Sequence, residues 1–152
     1  MSEKIETLTD TLDKQNEILS GLLDITLRQR EALKEGRLSD LQDIMSEMRH
    51  ISVRAQAIET KRARIAADVA SELGCEPIVS DIARVLPPEE AENVRRVAKA
   101  LMETAEKLKL EMSILSRLME EAKSLNEMLI NEWRRIGARA AGSVTGAFDT
   151  RI

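Results

Sequence analysis

The feature that most constrains this chain is an apolar repeat of three and four residues, sustained over long stretches that contain no proline. Stepping alternately three and four residues from Ile5 gives Leu8, Leu12, Gln15, Leu19, Leu22, Thr26, Gln29 and Leu33. The steps average about 3.5 residues, the spacing that holds one side of an α-helix against a partner helix. Ile18, Leu23 and Ile25 widen the stripe, as a helix with more than one neighbour requires. The repeat predicts a helix over residues 2–35, ended by Gly36 in the left-handed conformation.

A second repeat runs Leu41, Ile44, Met48, Ile51, Ala55, Ile58, Arg62, Ile65, Val69 and Leu73 and stops at Gly74. Ser39, with Gln42 three residues on, has capping-box spacing, so the second helix is expected over 39–73. Gly36, Arg37 and Leu38 alone separate it from the first, which forces an antiparallel hairpin. Ile78, Ile82, Val85 and Leu86 suit a short helix over about 78–86, capped by Ser80 or Asp81. Pro87-Pro88 then opens a third long helix, with Glu89, Glu90 and Glu92 favourably placed in its first turn.

That helix is predicted over 89–136 from the seam Val94, Ala98, Leu101, Ala105, Leu108, Met112, Leu115, Met119, Ala122, Asn126, Leu129, Trp133 and Ile136. At 1.5 Å per residue it exceeds the hairpin helices by roughly 20 Å, so one end is expected to overhang. Residues 137–152 lose the repeat and gain Gly142, Ser143 and Gly146, which reads as a flexible tail. The expected fold is all-α: an antiparallel bundle or coiled coil of three long helices with a short connecting helix, residues 1–136, followed by that tail.

Composition agrees. Aromatic residues make up 1% of the chain and charged residues 33%, a mixture that favours helices over strands. The formal net charge of -4 argues against a nucleic-acid partner, whose phosphates call for a basic surplus. No apolar run approaches the roughly 20 residues of a membrane span, so no membrane insertion is expected. The N-terminal stretch carries acids and has no apolar core of a secretory leader. Cys75 is the one cysteine, so no intrachain disulfide forms. A cytoplasmic protein is the expectation.

Few residues offer chemistry. His50 stands alone, and a metal site needs three or four ligands. A helical phosphorelay or metal enzyme would rest on that residue by itself. Cys75 follows a helix end and not the N-terminus that would lower its pKa. The carboxylates are interleaved with Lys and Arg, as in Glu59, Lys61, Arg62 and Arg64, which reads as a solvated face. Gly137, Gly142 and Gly146 match no phosphate loop. The reading is of a protein that is not an enzyme and uses no cofactor and no metal.

Polar residues inside the seams (Gln15, Thr26 and Gln29, Arg62, Asn126) read first as devices that select one helix alignment, the alternative being that they open a place for a ligand helix. The distal part of the third helix is more suggestive. A second apolar line, Leu110, Ile114, Leu118, Leu125 and Met128, lies beside its seam. Leu110, Ile114 and Met128 fall nearly opposite Met112, so one flat interface cannot bury both lines. Methionines at 112, 119 and 128 suit an adaptable surface. The candidate partner-binding residues are Leu115, Leu118, Met119, Ala122, Leu125, Met128, Leu129 and Trp133, with Trp133 the expected anchor. A stalk-like structural coiled coil is the alternative, and the same seams are compatible with a homo-oligomer.

Several segments resemble the flagellar export chaperones of the FlgN type. They are Gln15-Asn16-Glu17-Ile18-Leu19, the hinge Glu31-Ala32-Leu33-Lys34-Glu35-Gly36-Arg37-Leu38-Ser39-Asp40-Leu41, Arg62 in the second helix, and Leu125-Asn126-Glu127-Met128-Leu129-Ile130-Asn131. The order of parts is similar over about residues 5–136. The resemblance implies a cytoplasmic chaperone of flagellar type III secretion. Such a protein binds the C-terminal helices of hook–filament junction proteins, prevents their premature assembly and delivers them to the export apparatus. It also implies that clients dock on the C-terminal part, here the distal third helix. Relatives often carry a Tyr before a Gly in the tail; this chain has no Tyr, and Phe148 is the aromatic there.

Overall fold

A computed structural model describes the backbone of residues 2–143 and the side chains of residues 3–137. Over that range the chain forms α1 (Ser2–Glu35), α2 (Leu38–Leu73), α3 (Val79–Val85) and α4 (Pro88–Ser143). The all-α, long-helix reading holds. The chain divides into two compact units, Met1–Leu115 and Ser116–Ile152.

In the first unit α1 and α2 form the expected antiparallel hairpin. Lys4 pairs with Glu72, Gln15 bonds Glu59, and Arg28 pairs with Glu47, so numbers fall along α2 as they rise along α1. Gly36 adopts φ 68°, and this lets Arg37 N–H donate to the Ala32 carbonyl and Gly36 N–H to that of Leu33, closing the end of α1. Gly74, at φ 72°, ends α2 by donating to Ala70.

The capping of α2 differs from expectation. The helix begins at Leu38, its N-cap is Arg37, and no side chain caps it. Because the glycine turn is complete by residue 36, Ser39 already lies inside the first turn. The hinge is held instead by the Arg37 guanidinium, which sits 2.7 Å from Glu35 and 2.8 Å from Asp40. Similarly, α3 is capped by the extended backbone of Ile78 and by neither Ser80 nor Asp81; Asp81 pairs within the helix with Arg84.

The main core lies where the start of α1, the end of α2, α3 and the start of α4 meet. Ile5, Leu8 and Leu12 pack with Ala66, Val69 and Ala70, and Ile82, Ala83 and Leu86 close over them beside Ala91, Val94 and Val97. The short helix therefore inserts Ile82 and Ala83, while Ile78 and Val85, expected on its apolar side, stay exposed. A smaller cluster of Ile25, Ala32 and Ile44 fills the hinge end of the hairpin. Gln15, Thr26 and Gln29 are buried in the α1 seam as their spacing requires. Thr26 satisfies its hydroxyl on the Leu22 carbonyl.

Pro88 occupies the first position of α4, where its missing N–H costs nothing, and Ala91 N–H donates to the Pro87 carbonyl. The helix runs on to Ser143, past the expected end at 136. Losing the apolar repeat does not end a helix when Ala138, Arg139, Ala140 and Ala141, all strong helix formers, continue the chain. The rest of the expected tail, from residue 144, lies outside the described residues.

Candidate partner-binding site

The seam of α4 changes character along its length. In the first unit the seam residues Val94, Leu108 and Leu115 are buried, Ala98, Leu101 and Ala105 are half-buried and Met112 is 39% exposed, while Val97 is buried beside the seam. In the second unit the same repeat continues, yet none of its large apolar side chains is buried: Met119 is 47% exposed, Leu125 57%, Met128 67% and Trp133 64%. Leu129 and Ala122 are also exposed, and Leu118 is half-buried.

Seven of the eight candidate residues thus share one segment of a single helix. Leu115 does not join them. It is 6% exposed and belongs to the interior of the first unit. Ile130 and Ile136, exposed at 43% and 47%, extend the surface and were not among the candidates. Ile136 was legible as a seam residue; Ile130 stands one turn from Asn126 and from Trp133.

The segment is helical for local reasons. Between Ser116 and Ile136 it contains no Gly and no Pro and is rich in Leu, Met, Glu and Arg. Arg135 and Glu132 add an ion pair one turn apart. At 100° per residue, Leu118, Ala122, Leu125, Leu129, Trp133 and Ile136 fall within an arc of about 80°, which Met119 and Ile130 widen to about 140°. Leu118 and Leu125 therefore merge with the seam instead of opposing it, and Met128 stands outside the arc. Lys123 and Arg134 flank one edge, and Glu121 and Glu132 the other.

Such an arc can hold an apolar helix face and offers nothing to a reaction. Among the described residues no group of His, Cys, Asp and Glu could hold a metal ion. His50 is exposed on α2, and Cys75 is half-buried and unpaired. No helix is long and apolar enough, among the described residues, to cross a membrane.

No curated protein and no solved structure matches the chain. A family model, described as FlgN protein, matches residues 1–142, nearly all of its length. With that match and its long helices, the chain belongs to the FlgN family of flagellar type III export chaperones.

Proposed function

We propose that the chain captures the C-terminal helical segments of hook–filament junction proteins on the exposed arc of α4, between Leu118 and Ile136. Capture in the cytoplasm keeps those segments from assembling early and leaves them ready for delivery to the export apparatus. The observation that carries this reading is the row of large apolar side chains, Met119, Leu125, Leu129, Ile130, Trp133 and Ile136, each 43% exposed or more. A contiguous apolar surface of this kind is seldom idle. A client helix that assembles through its own apolar face is shielded when that face lies against another. The methionines let the surface repack around more than one client sequence.

The test is a pull-down after co-expression with the C-terminal segment of a hook-associated protein. Leu125→Asp and Leu129→Asp are expected to abolish capture while circular dichroism shows unchanged helicity. Capture that survives both substitutions removes α4 from the mechanism. Light scattering on the free protein separates this reading from a structural coiled coil: a long obligate oligomer that covers the arc would favour the rod.

A further inference from the structure

The first unit carries a second uncovered apolar surface, which uses a different part of α4 from the first. Where α2, the α2–α3 connector and α4 meet, an open groove of about 580 Å³ is lined mostly by apolar atoms. Its floor is made by Ile78 and Val79 on one side and Ala98 and Met102 on the other. The connector explains the opening. Pro77 and the extended backbone of Ile78, at φ -117° and ψ 132°, hold this segment out of the helix that follows, and the Ile78 side chain is left 55% exposed. Met102, across the groove, is 64% exposed.

The rim is basic. Arg95 and Lys99 lie one turn apart on the same side of α4 as Met102, and neither makes an ion pair among the described residues. Arg62 also reaches the groove, but Glu59 holds its guanidinium, with Nε donating to Oε2 at 2.8 Å. Two cations beside an apolar trough, with Glu92 and Glu103 one turn beyond them along α4, give this rim a local basic character in a chain whose net charge is -4. The volume lies within the range of sites that hold a ligand, roughly 300–1,000 Å³. An open trough does not enclose a lipid chain, and a floor without aromatic rings gives nucleobases nothing to stack on.

We propose that this groove docks an acidic amphipathic peptide segment of a partner protein. Its apolar side chains lie on Ile78, Val79, Ala98 and Met102, and two carboxylates one helical turn apart meet Arg95 and Lys99. The site is independent of the client-binding arc on α4.

The test is selection of a random peptide library on the full-length protein, counter-selected on the Arg95→Glu/Lys99→Glu variant. Enriched peptides should pair apolar residues with at least two acids. Their fluorescence anisotropy should show affinity reduced at least tenfold by Arg95→Glu/Lys99→Glu, by the milder Arg95→Ala/Lys99→Ala, and by Met102→Asp. Affinity should also fall between 50 and 500 mM salt, because the rim contacts are exposed to counterions. The proposal is overturned if no peptide is enriched over the variant, or if those enriched lack acids. It is equally overturned if light scattering shows self-association that the charge reversal removes, since a second copy would then be the occupant. Leu125→Asp leaves this binding intact, so the fates of the two surfaces are read separately.

Discussion

Arg30 on α1 and Glu111 on α4 form an ion pair at 2.5 Å, with side chains only 25% and 20% exposed. It ties α4 to the hairpin between the buried Leu108 and Leu115. A partly buried pair gains more from its Coulomb term than a surface pair and leaves a costly orphan when one member goes. Glu111→Gln is expected to lower stability by about 1–2 kcal/mol in urea unfolding, the range between exposed and buried pairs. Arg30→Met combined with Glu111→Leu should recover much of the loss. A double-mutant cycle with no coupling would show that the pair contributes nothing.

Leu8 and Leu129 belong to the same kind of repeat and should respond oppositely. Leu8 is fully buried, so Leu8→Ala should cost about 2–5 kcal/mol through lost transfer energy and a cavity. Leu129 is 50% exposed, so Leu129→Ala should stay within about 0.5 kcal/mol of the parent in the same unfolding experiment. In the pull-down the order reverses, and Leu129→Ala weakens client capture.

Acid should reveal the link between Glu59 and Arg62. The Arg62 hydrogen bond, opposed by partial burial and helped by Gln15, holds the Glu59 carboxyl below the usual carboxylate range. A carboxylate whose folded pKa is depressed adds stability above its unfolded pKa, and that stability is lost as pH falls through the folded value. Parent and Glu59→Gln should therefore differ by a constant amount above about pH 5 and converge below it. A gap equally wide at both ends of a pH series of melts would mean that charge on Glu59 is not its source.

Gly36 and Gly74 test the helix ends. Both have positive φ, and a methyl group at either would meet no atom within 4 Å. The cost of Gly36→Ala or Gly74→Ala is therefore backbone strain alone, about 1–2 kcal/mol. Gly74→Asn should cost less, since Asn tolerates the left-handed region. Equal melting temperatures for the Ala and Asn variants would contradict this account.

Much of the fold was legible because helix formation is local. The seam positions Ile5, Leu8, Leu12, Val69 and Val94 follow from spacing, and Gly36 and Gly74 mark ends that only an αL residue closes so compactly. Ser39 misled because a capping-box pattern competes with a glycine turn that finishes first. Ile78 departs from the helical spacing because it is the N-cap of α3, with extended backbone, where that spacing has no meaning. Ala83 and Val97 escaped notice because small or off-seam residues become core only when a third element packs over them.

Where the helices run, and which side of each is apolar, can be read from the sequence, since both depend on neighbours three and four residues away. The sequence does not distinguish Leu108 and Leu115 from Met119 and Leu129, which occupy equivalent places in one unbroken repeat. That difference belongs to the tertiary structure. Burial is decided by what is packed against a side chain, not by its position in a pattern: Leu108 and Leu115 lie in the packed first unit, Met119 and Leu129 in the second.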